Sequence, residues 1–179
     1  MKKIAVFLMG LFLLTGCTSL MNTPTDKVEE YLDKYKTTDE DVLDQLEDVV
    51  DEVGTMNDDN KERYKELMKK QYQNLSYKIK DETIDGDNAT VEAEIEVYDY
   101  KSSTDESDRY LSEHNDEFVD DENNIDNDKF MTYKLDALDK VTDKVTYTIT
   151  FSLTKDADGN WKLDDISDED RLKLHGLYS

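Results

Sequence analysis

From Val145 to Thr154 apolar side chains alternate with hydroxyl-bearing ones without a break: Val145, Tyr147, Ile149, Phe151 and Leu153 against Thr146, Thr148, Thr150, Ser152 and Thr154. Successive side chains of a strand point to opposite faces, so this run is a strand with one face packed and one face wet. Asp158-Gly159 then turns the chain into Trp161 and Leu163, which predicts a hairpin. A second hairpin is read from Leu75, Tyr77 and Ile79, the turn Asp85-Gly86-Asp87-Asn88, and Val91, Ala93, Ile95 and Val97. In that last strand Glu92, Glu94 and Glu96 fill the alternate positions. A row of like charges on the solvent face also discourages edge-to-edge association.

Upstream the period is helical. Thr23 caps a helix with Pro24 at its first position and Asp26 in its first turn, and Val28, Tyr31, Leu32 and Tyr35 recur at i, i+3, i+4 and i+7. Thr37 and Glu40 form a capping box for a second helix carrying Leu43, Leu46, Val49, Val50 and Val53 as far as Gly54. A third runs from about Asp58 to Tyr72, with Tyr64, Leu67, Met68 and Gln71 on one side. Residues 101–144, between the hairpins, are too many for a structureless loop. Helices are expected there around Asp105–Phe118 and Asp126–Thr142, separated by the acidic, Asn-rich stretch Asp120–Asp128. Helices first and antiparallel strands later define an α+β fold: N-terminal helices packed on a curved antiparallel sheet of about four strands, with a partly helical insertion.

The N-terminus has a different character. Met1-Lys2-Lys3 precedes an apolar or small-residue run, Ile4 to Leu14, which has the layout of a secretory signal peptide. An apolar stretch of about 11 residues makes a helix of roughly 16 Å, half the hydrocarbon thickness of a bilayer. Leu14-Thr15-Gly16-Cys17 resembles the lipobox of bacterial lipoproteins. That resemblance implies cleavage between Gly16 and Cys17, diacylglyceryl transfer to the Cys17 thiol, and anchoring to the outer face of the cell membrane through the acyl chains. Cys17 is also the only cysteine, which excludes an internal disulfide. The expected organisation is a signal peptide at 1–16, a lipidated tether at 17–23 and a single domain at 24–179. Removing residues 1–16 leaves 20 Lys and Arg against 45 Asp and Glu, a net charge of −25. Such a surface disfavours nucleic acid. Its cations are nearly all Lys, with only Arg63, Arg109 and Arg171, which fits a Gram-positive source.

The element order, with the closing hairpin from Tyr147 through Asp158-Gly159-Asn160-Trp161-Lys162-Leu163 to Ile166, resembles the cystatin-like, nuclear transport factor 2-like superfamily, and Gram-positive lipoproteins of that fold. The resemblance implies a cone-shaped cavity beneath the curved sheet. The insertion at 101–144 departs from the simplest pattern.

Chemistry-bearing patterns are scarce. Two histidines without His-Glu-x-x-His spacing exclude the common zincin arrangement, and there is no Gly-rich phosphate loop or Gly-x-Ser-x-Gly elbow. Asp156, Asp158 and Asn160 match the start of a calcium loop, but Trp161 and Ser167 stand where it needs Gly and Glu, so a hairpin turn is the better reading. No metal and no cofactor is expected. His175 reads as part of a frayed tail. The candidates for contacting a ligand are His114, Tyr64, Tyr98 and Trp161; the many tyrosines fit either a core or the lining of a cavity. The expected role is a non-enzymatic ligand-binding or protein-interaction module of the cell envelope, its partner a small molecule or another envelope protein. The alternative is a cavity enzyme of the dehydratase or isomerase kind, which the superfamily resemblance implies, using His114 or a buried carboxylate.

Overall fold

Thr23 opens α1 (Pro24–Thr37) through a reciprocal cap: its side chain accepts the Asp26 N–H, and the Asp26 carboxylate accepts the Thr23 N–H. The computed structural model describes residues 22–52 and 56–179, with the side chains of 51 and 52 left aside. The signal peptide, the lipobox, Gly16, Cys17, Val53 and Gly54 lie outside the described residues.

The second helix, α2 (Glu40–Glu52), is not capped by Thr37. Thr37 is instead the last residue of α1, its hydroxyl donating back to the Asp33 carbonyl, so it sits inside one helix rather than at the start of the next. Thr38 takes the left-handed conformation at φ 51°, and Asp39 becomes the cap, its carboxylate accepting the Asp41 N–H at 3.2 Å. Replacing Asp39 with Ala should lower stability by about 1 kcal/mol, read as a shift of the urea midpoint.

The third helix, α3 (Asp58–Gln73), leads into β1 (Ser76–Asp85) and β2 (Asn88–Tyr98). The insertion supplies α4 (Tyr100–Glu113), a 3-10 turn (Asn115–Phe118) and α5 (Asn127–Leu138) before β3 (Lys144–Lys155) and β4 (Trp161–Leu163). The last helix is α6 (Asp168–Leu174). The sheet is antiparallel in the order β1-β2-β3-β4. Six helices and this four-stranded sheet, among the described residues, make the α+β architecture that the change of period predicts.

Pairing puts Ala93 opposite Ile149, Val91 opposite Phe151 and Ile95 opposite Tyr147, so the alternating residues of β2 and β3 share one face. That face meets Val28 and Leu32 of α1, and Val91, Ala93, Ile95, Val97, Ile149 and Phe151 are each at most 1% exposed. These side chains fill the space between helix and sheet where the superfamily resemblance places its cone-shaped cavity. Edge strand β1 carries a bulge between Ile79 and Asp81. The extra residue reverses the alternation, so Glu82 and Ile84, rather than Asp81, share a face with Val91 and Ala89. Glu82 uses that position to accept both the backbone N–H and the hydroxyl of Thr25.

In the insertion, α4 starts at Tyr100 rather than near Asp105, because Asp99 caps it through the Ser102 N–H. Helix α5 stops at Leu138, short of Thr142, and Asp126 caps it. Among the described residues, no helix is long and apolar enough to cross a membrane.

Candidate functional site

Along α3, Tyr64, Met68 and Tyr72 lie four residues apart and form a stripe; along α2, Val42, Leu46 and Val49 do the same at helical spacing. The two stripes face each other across a cavity of about 450 Å³. Tyr35 of α1 closes its floor, Arg171 and His175 close one side from the C-terminal segment, and Gln45 and Asp48 stand among its polar lining. Val49, 45% exposed, belongs to the mouth.

The rings continue into the core. Phe151, Tyr31, Tyr35, Tyr72 and His175 follow one another, with Tyr35 and Tyr72 edge to face at 5.0 Å. The hydroxyls of Tyr31 and Tyr35 are hydrogen-bonded at 3.0 Å, and the Tyr72 hydroxyl lies 3.1 Å from His175 Nε2. Burial raises the pKa of Tyr31, Tyr35, Tyr64 and Tyr72, so all four stay neutral. Burial, aided by the nearby Arg171 charge, pushes the His175 imidazole down to about 4. The aromatic rings around the site are therefore neutral at pH 7, with Arg171 and Asp48 as the charged residues named in its lining.

His175 thus has a structural place that a frayed tail lacks. Ser167 caps the start of α6 through the Asp170 N–H, its own hydroxyl donating to the Asp170 carboxylate, and Gln71 then donates to the His175 carbonyl at 2.9 Å. The folded state binds a proton on His175 less readily than the unfolded chain does, so stability is complete above about pH 6.5 and falls as the pH drops toward 4. Between pH 7 and 5 the loss from this group should be about 2 kcal/mol. Urea titrations of the parent and of His175→Gln at the two pH values test it: the variant should lose less by that amount, and equal losses would refute it.

Two polar atoms on residues that line the cavity lack partners among the described residues. Neither the Tyr64 hydroxyl nor His175 Nδ1 has a hydrogen-bond partner among the described residues. Among those residues no fully buried side-chain polar atom lacks a hydrogen bond, so both atoms reach solvent-accessible space.

The other candidates sit elsewhere. Trp161, buried, contributes to a larger but more open groove of about 580 Å³ between α1 and β4, with Tyr31, Leu163 and three lysines. Each of those lysines already faces a carboxylate: Lys27 with Glu30 at 2.8 Å, Lys34 with Asp41 at 2.8 Å and Lys162 with Asp156 at 3.5 Å. Among its described residues that groove presents no unpaired cation. Tyr98 lies at the far end of β2 beneath Lys70 and Lys144, and Gln71 holds its backbone. His114 is a half-exposed C-cap of α4, stacked on Tyr110 at 4.3 Å with Glu117 at 3.8 Å, and it lines none of these cavities. With Phe118, Phe130 and Tyr133 these rings form a cluster separate from the main core.

No Asp or Glu is buried among the described residues, and no group of three or more potential metal ligands occurs among them. The Asp156 carboxylate is committed to its own turn, accepting the N–H groups of Asp158 and Asn160, as Asp120 does for Glu122 and Asn124.

Among solved structures, the fold is similar to a Bacillus subtilis protein, ycdA, described provisionally as a lipoprotein. The TM-score is 0.53 at 17% sequence identity, covering 88% of this chain and 56% of the other. The chain thus spans about half the length of that neighbour, and at this identity the likeness is one of fold. No family model and no curated protein matches the chain.

Proposed function

We propose that the chain is a lipoprotein held to the outer face of the cell membrane through Cys17, whose single domain binds a small molecule in the aromatic cavity under α2 and performs no chemistry on it. The observation that carries this reading is the cavity itself, about 450 Å³ with an apolar floor and lining residues that carry two polar atoms without partners among the described residues. Pockets of this size and lining are those that hold small ligands. The lack of a buried carboxylate among the described residues, and the half-exposed position of His114, support binding over the dehydratase or isomerase alternative. The order of helices and hairpins supports placing the fold with the cystatin-like, nuclear transport factor 2-like superfamily, its cavity moved from beneath the sheet to between the helices.

The anchor follows from the lipobox, and the lipoprotein description of a fold neighbour supports it. Asn22 lies five residues beyond Cys17, so the body begins within about 18 Å of the anchor. Tyr35, at the cavity floor, is roughly 20 Å further along α1.

The test uses the mature chain with Cys17→Ser, free of acyl chains, and the uncharged fluorescent probe N-phenyl-1-naphthylamine. Saturable binding at one site is expected, weakened about tenfold or more by Val49→Trp, which blocks the mouth from an exposed position. Binding unchanged by Val49→Trp, in a variant with the parent circular dichroism spectrum, would place the site elsewhere.

A further inference from the structure

We infer that the ligand of this cavity is an uncharged molecule with a ring-shaped apolar body and a hydroxyl-type group that hydrogen-bonds at the Tyr72–His175 pair. The inference rests on the reading of the cavity as a binding site, and it concerns the chemistry that the site accepts.

The apolar body follows from the lining. Tyr35 and Tyr72 present an edge-to-face pair, and Leu46 and Met68 complete the floor. Aromatic faces and a polarizable thioether favour a ring over a thin acyl chain.

The absence of charge follows from three features. The chain carries a formal charge of −23, or −25 after loss of residues 1–16, which repels anions on approach. Among the described lining residues Arg171 is the only cation; Asp168 already holds it at 2.8 Å, and the lining adds the acid Asp48. A cation entering the chamber would lose its water among neutral rings, and the one acid named in the lining, Asp48, is exposed at the surface, so no buried carboxylate among the described residues offsets that loss.

The polar handle follows from the unpartnered atoms. A neutral imidazole has one donor and one acceptor nitrogen, and Nε2 is engaged by the Tyr72 hydroxyl. Whichever tautomer is present, Nδ1 offers the complementary role, and a ligand hydroxyl can serve as donor or acceptor to it. The Tyr64 hydroxyl, about two turns earlier on α3 than Tyr72, provides a second contact.

Four probes with one ring body separate the possibilities: naphthalene, 2-naphthol, 2-naphthoate and 2-naphthylmethylammonium, titrated calorimetrically at pH 7 into the mature Cys17→Ser chain. Naphthol should bind about tenfold more tightly than each of the other three. His175→Phe and Tyr64→Phe should each shrink its advantage over naphthalene; Tyr64→Phe removes only an unpartnered hydroxyl, so its fold is secure. Naphthoate or the ammonium binding as tightly as naphthol would overturn the uncharged class while leaving the cavity a binding site. Equal binding of naphthol and naphthalene would overturn the polar handle. Binding by none of the four would overturn both this inference and the site.

Discussion

Gly176→Ala should be among the most damaging single substitutions in the chain, lowering stability by about 3–5 kcal/mol. Gly176 follows α6 at φ +68°, and a Cβ there would overlap the carbonyl oxygen of Tyr98 and Nε2 of Gln71. Its own carbonyl accepts the Lys101 N–H at 2.7 Å, so the C-terminal segment cannot slide away without losing that bond at the start of α4. Gly86 provides the control: at φ +63° a Cβ would meet nothing within 4 Å, so Gly86→Ala should cost only about 1 kcal/mol. Urea unfolding of the two variants beside the parent should separate them by several-fold in the loss of stability. Equal losses would mean that the close approach at Gly176 is not what the residue is for.

Gln71→Leu should cost a similar amount, about 3–5 kcal/mol, through a different cause. Gln71 is fully buried in α3; its Nε2 donates to the carbonyls of Tyr98 and His175, each at 2.9 Å, and its Oε1 accepts the Tyr98 N–H at 2.8 Å. Leucine fills nearly the same space but leaves three backbone groups without partners. Because this side chain ties α3, the end of β2 and His175 together, the variant should also flatten the pH dependence assigned to His175 and weaken probe binding. The two substitutions share partners, so their combined effect should be less than additive. A Gln71→Leu protein as stable as the parent would show that the staple does not hold the C-terminal segment.

Local rules reached the strands and failed at the cavity for a physical reason. The alternation of β2 and β3 is visible because each strand buries one face on the same core, and the pairing of Val91 with Phe151 and Ala93 with Ile149 follows from that pattern. The start of α4 is harder to read. Lys101-Ser102-Ser103-Thr104 has little intrinsic helical preference, and burial of Tyr100 and Ser107 holds the helix there. Tyr64 can be named from its place on the α3 face. His175 cannot, since its partner Tyr72 is 103 residues away, and no periodicity reveals which distant segments meet. One local signal is present, the Ser167-x-x-Asp170 capping pattern that starts α6 and argues against a frayed tail. His114 shows the reverse: a residue type suited to catalysis sits on a half-exposed helix end because its ring packs on Tyr110 rather than in a cavity.

Native mass spectrometry of the acylated chain, released from its own membrane in mild detergent, tests small-molecule binding most directly. The expected mass is that of the acylated polypeptide plus one small neutral molecule, with that increment absent in Val49→Trp. The acylated mass alone in both proteins, or the same increment in both, would contradict binding in this cavity.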